Sequence, residues 1–302
     1  MSFLNPVNEP VLRFKSTDAD APQIDYNSRT AGDVKAVLKA CLVDGYGTTA
    51  SAGWSIVNEV DHVAEFISPS AAMSDYRLGI DDTSTSSTTW YYQYQNARVD
   101  IGASAVIKRS YTNIKKTSPQ NGWQLLATER GLFFIEILDS SAVDGRVARI
   151  TYFGQVKSAL PSIGAKNIAL WSIGMNAPTA YPWQFFDPTD TGRKHIVVAD
   201  YSAIAFDATN LYAVGANKSS DSPSLIELTN EVFLRYSNVV VAQHPAFLLI
   251  DKNSAADTYK VFDTTIDGRP ALSVCLSWDT PSAVNVSLNA RYVLIYLDFW
   301  GY

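Results

Sequence analysis

The spacing of hydrophobic positions changes once along the chain, near residue 45. Before that point, apolar residues fall at Val34, Val37, Leu38, Cys41 and Leu42. Steps of three and four residues put them on one helical face, so the spacing predicts an amphipathic helix near residues 30–44. Thr30 and Asp33 form a capping-box variant at its start, where a carboxylate suits the helix dipole. Gly45 supplies the left-handed residue that ends it. The apolar stripe is a core-facing surface. The segment 2–14 ahead of it has no regular period. It is expected to be an arm that drapes over a neighbouring molecule and orders on assembly.

After Gly45 the pattern shortens to runs rich in β-branched and aromatic residues, bounded by Gly, Asp, Ser and Thr. In the first half these runs are 75–82, 97–103, 123–129, 131–138 and 146–154. In the second they are 166–174, 194–200, 202–208, 210–216, 238–244, 246–252, 259–264, 271–278 and 291–300. Strands at this spacing, with no helical patterns between them, predict antiparallel sheets. The expected fold is mainly β, with antiparallel sandwich- or barrel-like lobes and the one amphipathic helix. Glu129-Arg130-Gly131 reads as a tight hairpin connection with Gly131 at positive φ. Residues 246–252 and 259–264 resemble a hairpin pair with a longer connection. His244-Pro245 reads as a strand end, because the residue before proline avoids helix. The stretch 83–90 is a polar loop. A break near 154–161 divides the chain into an N-terminal lobe, 1–155, and a C-terminal lobe, 156–302.

Composition narrows the function. With 302 residues, 47% hydrophobic and 18% charged, the chain can bury a full core without a disulfide or metal staple and is not disordered. A net charge of −6 repels a phosphate backbone, so nucleic acid is not an expected partner. No basic leader with an apolar run opens the sequence, and no uncharged apolar stretch approaches about 18 residues. Neither an export signal nor a membrane span is expected, and synthesis is placed in the cytoplasm. Cys41 and Cys275 lie on apolar runs and read as two buried thiols. His62, His195 and His244 have no metal-ligand spacing, so neither metal nor cofactor is expected.

Candidate chemistry is sparse. Asp81-Asp82 follows a strand, but adjacent strand residues point to opposite faces and cannot flank one bond. The pair reads as a strand end running into a turn. Alternation puts Trp90, Tyr92 and Tyr94 on one face, and these are the candidates for an interface, for stacking on a host glycan, or for core packing. His195 follows Arg193-Lys194 without a motif partner. No nucleophile elbow, zinc motif, phosphate loop or dinucleotide fingerprint occurs. No catalytic residue is expected, and the chain reads as a non-enzyme. Lys108, Arg109, Lys115 and Lys116 around Tyr111 form an anion or partner patch, or else solvated strand ends.

Several of these segments resemble a known family. VLKACLVDGYG (37–47) followed by SAGW (51–54) is similar to the opening of a family of tailed-bacteriophage virion structural proteins of about this length, with a helix running into V-x-G-Y-G and then Gly-Trp. YRLGIDD (76–82), ARVDIG (97–102), WQLLATERGLFFIEI (123–137) and YFGQVKSALPSIGA (152–165) resemble further motifs of that family, with Gln155 where Asp is usual. YKVFDTTIDGR (259–269) loosely resembles its final strands, and DFWGY replaces its usual Pro-Trp-Arg tail. Residues 83–90 and 170–235 match no part of it. The resemblance implies a noncatalytic assembly subunit of the virion, in the tail, baseplate or neck, whose partners are other virion proteins and copies of itself. Alternatives are a capsid decoration protein and a host-glycan-binding module on the particle. A glycan-cleaving enzyme would need two carboxylates brought together from separate strands.

Overall fold

The computed structural model describes residues 7–25, 28–74, 76–85, 88–94, 107–108, 122–137, 148–158, 168–173, 196–199, 205–207, 210–213, 230–236, 239–252, 261–266 and 268–302 except 278–289. The N-terminal strands are β1 (Asn8–Pro10) and β2 (Leu12–Lys15). Helix α1 (Asp33–Lys39) continues into a π-helical turn, Ala40–Asp44. The next strands are β3 (Ser55–Val60), β4 (Val63–Ile67), β5 (Tyr76–Asp81), β6 (Thr89–Tyr94) and β7 (Ile107–Lys108). There follow β8 (Gly122–Thr128), β9 (Gly131–Ile137), β10 (Ala148–Gln155), β11 (Lys157–Ser158), β12 (Ile168–Ile173), β13 (Ile196–Ala199) and β14 (Ala205–Asp207). The last are β15 (Asn210–Ala213), β16 (Asn230–Tyr236), β17 (Val239–Lys252), β18 (Val261–Ile266), β19 (Arg269–Ser277), β20 (Ala290–Tyr296) and β21 (Phe299–Gly301).

All the described strand pairings are antiparallel, and they build three main sheets. The fold is mainly β, as the spacing predicts. A central sheet has the order β14-β13-β12-β10-β9-β8-β2. One outer sheet runs β3-β4-β5-β6-β7. The other runs β15-β16-β17-β20-β19-β18, with β11 paired to β17. A small ribbon joins β1 to β21.

The middle of the central sheet is buried on both faces. Leu125, Ala127, Leu132, Phe134, Phe153 and Leu170 enter one core with the α1 stripe and with Ala64, Phe66, Leu78 and Ile80 of the first outer sheet. Leu126, Phe133, Ile135, Ile150, Tyr152 and Ala169 enter a second core with Leu272, Val274, Val293 and Ile295 of the other. Successive residues of a strand point to opposite faces, so a strand sandwiched between two cores must be apolar at every step. That is why LLA and LFFI read as unbroken runs without alternation. Sheet pairing also crosses position 155/156, because β10 pairs with β12 from Ile150–Ile173 to Gln155–Ile168.

The helix stripe is as predicted: Val34, Val37, Leu38, Cys41 and Leu42 are all fully buried. Its start is corrected. The helix begins at Asp33 behind a left-handed Gly32 (φ 91°), and Thr30 is not its cap. Asp33 still reaches back, accepting the Thr30 N–H at 2.8 Å. At the far end the Gly45 N–H donates to Ala40 O at 2.8 Å, and Gly45 takes φ 79°. The widened turn leaves Cys41 O and Leu42 O to accept the N–H groups of Ala52 (2.9 Å) and Trp54 (2.8 Å).

Four further expectations are corrected. Gly131 is needed for close approach and not for positive φ. It pairs with Gly154 across β9 and β10, and a Cβ on Gly154 would lie 2.6 Å from Gly131 Cα. Residues 246–252 and 259–264 do not pair: β17 lies between β16 and β20, and β18 pairs with β19. His244-Pro245 does not end a strand. β17 runs through it, and Pro245, lacking an N–H, sits where pairing slips from Phe233–Gln243 to Glu231–Leu248. The described part of the N-terminal arm, from residue 7 on, pairs within its own chain, β1 with β21 and β2 with β8. The predicted strand at 97–103 lies outside the described residues.

Gly154→Ala forces a methyl group onto a paired backbone. It is expected to cost about 1–3 kcal/mol in urea unfolding followed by tryptophan fluorescence.

Candidate functional site

The aromatic strand β6 lies between β5 and β7. Its register sets Trp90 opposite Ile80, Tyr92 opposite Leu78 and Tyr94 opposite Tyr76. Ile80, Leu78 and Tyr76 all belong to the first core. Trp90 is 1% exposed, with its ring 5.8 Å from that of Phe134. A ring so enclosed presents no face to a sugar, so Trp90 is a core residue. The side chains of Tyr92 and Tyr94 lie outside what is described, although their backbone positions share the Trp90 face. Tyr91, on the opposite face, lies across Gly79: a Cβ there would be 2.0 Å from the Tyr91 ring. Burial, with Glu65 and Asp81 nearby, pushes the Tyr91 hydroxyl up to about 12.

The most highly connected polar group is Asp82, next to this strand and fully buried. Its Oδ2 accepts the N–H groups of Val34 (2.8 Å) and Lys35 (3.2 Å), the donors exposed by the first turn of α1. Its Oδ1 accepts from the Arg29 guanidinium and from the Thr88 hydroxyl, the latter at 2.8 Å. Its backbone is engaged too, with Gly32 N–H donating to Asp82 O (2.9 Å) and Asp82 N–H donating to His62 O (3.1 Å). The neighbouring Asp81 continues β5 and is half-buried. The pair therefore divides as alternation requires, and Asp82 is more than the end of a strand. It caps a helix from a distant loop and neutralises a buried arginine.

A second network holds the chain ends. The Arg130 Nε donates to Glu9 Oε1 at 2.9 Å, and its guanidinium also reaches Gln155 at 3.3 Å. The Tyr302 hydroxyl shares a hydrogen bond with Thr128 Oγ1 at 2.9 Å, and the Tyr152 hydroxyl donates to Gln155 O at 2.7 Å. Desolvation pushes both phenols up. His244 packs against Tyr152 with ring centroids 4.3 Å apart. Its Nδ1 accepts the Ala246 N–H at 3.3 Å, and burial holds its pKa well below 6.5. A third cluster seats Arg269 over the rings of Tyr296 (3.7 Å) and Phe299 (4.0 Å), bidentate to Asp298 at 2.7 and 2.9 Å.

Among the described residues, no group of three metal-ligating side chains converges, and no helix is long and apolar enough to cross a membrane. Cys41 is a buried free thiol whose pKa is raised by desolvation. His195, Arg109 and the cluster at Tyr111, Lys115 and Lys116 lie outside the described residues, as do the side chains of Cys275 and Lys108. Sequence reasoning named Asp82 but missed Arg29 and Thr88, because neither sits in a periodic pattern. The signal available was a lone arginine in a polar stretch ahead of a helix.

No protein-family model matches the chain, and no curated protein matches it.

Asp82→Ala strips the cap and removes the buried carboxylate that bonds Arg29. A loss of about 3–5 kcal/mol is expected in chemical unfolding. Asp81→Ala should cost well under half of that. His244 gives a pH signature. Its folded pKa is depressed, so the unfolded chain binds the extra proton, and stability should fall as pH drops below about 6.5. Unfolding midpoints at pH 7.5 and 5.5 should diverge in the wild type and converge in His244→Gln.

Proposed function

We propose that this chain is a noncatalytic structural subunit of a tailed-bacteriophage virion, a part of its tail, baseplate or neck that works by packing against other virion proteins and copies of itself. The observation that carries the reading is where the family-like motifs meet. Residues 37–47 form the helix and its exit, and Trp54 of the Gly-Trp donates from Nε1 to Thr128 O at 3.1 Å. Residues 76–82 supply Leu78 and Ile80 to the same core and Asp82 to the helix cap. Residues 123–137 are β8 and β9, and residues 152–155 close β10 against them. Motifs scattered over more than a hundred positions thus interlock in one framework, as expected when a resemblance reflects a shared scaffold. ARVDIG (97–102) lies outside the described residues.

The chemistry of the polar clusters supports the same reading. Asp82, Arg130 and Arg269 each spend their hydrogen-bonding capacity on the chain's own backbone and side chains, which stiffens the fold. A subunit that must hold its shape under the load of an assembly gains from such bracing. A glycan-binding role, by contrast, loses Trp90 as a stacking surface.

Antibodies raised against the purified chain test the proposal. Phage particles banded on a density gradient should carry the protein in a fixed number of copies, with label at the tail or neck in electron micrographs. Its absence from banded particles would defeat the reading. Label spread over the head would move the subunit to the capsid.

A further inference from the structure

An open sheet edge is a template for another strand, and proteins blunt it with shortness, bulges, charge or cover. Of the edge strands described on both flanks, β2 has only four residues. β3 is longer, but its register slips between Val57 and Val60, Asn58 takes φ 51°, and Lys35 and Lys39 reach Glu59 on it at 2.9 Å. β18 differs. It has six residues, VFDTTI, with no lysine, no proline and no slip against β19. Its single charge, Asp263, is held by Arg13 at 2.6 and 2.8 Å. Among the described residues no strand pairs with its other side.

The phase of the ladder tells which groups face outward. Ile266 and Arg269 close a two-residue hairpin connection and so form a hydrogen-bonded pair. Thr264 and Phe262 then bond to β19, while Val261, Asp263 and Thr265 point their N–H and C=O groups to the open side. Pro270, which has no N–H, stands opposite Thr265, as that phase allows.

We propose that β18 is a docking edge on which a second copy of this chain lays its own β18, antiparallel across a two-fold axis, with Thr264 opposite Thr264. The inference deepens the assembly reading and rests on it for the identity of the partner. Sequence complementarity selects this register. Phe262 stands opposite Ile266 twice, an aromatic with a β-branched residue, and Asp263 stands opposite Thr265, whose hydroxyl donates to the carboxylate. Asp263 of each strand and Thr265 of the other, both facing outward, exchange backbone N–H to C=O hydrogen bonds. Slipping to Asp263 opposite Asp263 would set like charges together. The contact is isologous and joins two outer sheets into one.

Sedimentation velocity on the full-length chain tests it. The wild type should dimerise. Thr265→Pro, which removes an N–H that β19 does not use, should weaken dimerisation by about tenfold or more while leaving the circular dichroism spectrum unchanged. Thr264→Lys and Thr264→Glu should each be monomeric alone and dimerise when mixed, because residue 264 meets its own copy. Thr264→Cys should give a reducible covalent dimer, which covers the case in which the charged variants fail to fold. A monomeric wild type, or a dimer indifferent to these changes, overturns the proposal. A monomer that is nevertheless found in banded particles would sink this edge and leave the assembly role standing. A β18 dimer absent from particles would do the reverse.

Discussion

A sheet that must be dry on both faces governs this molecule. Among the described residues, β8, β9, β10 and the start of β12 send apolar side chains into one core from one face and into the other core from the other. The requirement reaches into the backbone. Where β9 and β10 start and end against each other, two glycines pair, and neither has room for a methyl group. It also dictates what the rest of the chain does. One outer sheet with the helix, and the other with the β1–β21 ribbon, are lids over apolar surface that could not otherwise exist in water.

The polar braces follow from that burial. The α1 N-terminus points into the lid, where solvent cannot satisfy its amides, so a carboxylate must come to it. Asp82 arrives from the end of β5, and its charge in turn demands Arg29 and Thr88. At the other core, Trp300 is fully buried and meets Phe133 edge-on at 5.2 Å. Arg130 and Arg269 fasten the strands that carry it. These clusters look like chemistry in a list of residues. In space they are supports, bonded to partners from their own chain.

Legibility in the sequence tracked how local each cause was. The α1 stripe needed only a period of three and four, and all five of its residues are buried. The middle strands of the central sheet, β8 and β9, announced themselves by the apolar runs LLA and LFFI. β3 and β4 did not. Ser55–Val60 is mostly exposed on a bulged edge, so its pattern carried little signal. β1 and β2 were hidden for a related reason: Asn8–Pro10 contains a proline and one buried side chain, Glu9, and becomes a strand only because β21 lies beside it. Alternation along β6 placed Trp90, Tyr92 and Tyr94 in one phase of the strand, and the register pairs these positions with Ile80, Leu78 and Tyr76. Whether that phase met water or core was beyond alternation to decide, and for Trp90 the answer is core.

Periodicity, turn residues and the helix exit determined by themselves that this chain is built of antiparallel strands around one amphipathic helix, because those features depend on neighbours a few residues apart. Which strands are partners, which glycine is a turn and which a close approach, and which of two adjacent aspartates is buried were decided by tertiary structure. Each of those outcomes depends on groups dozens to hundreds of residues away. Pairing and burial are long-range balances of desolvation against contact, and no short window of sequence contains both sides of them.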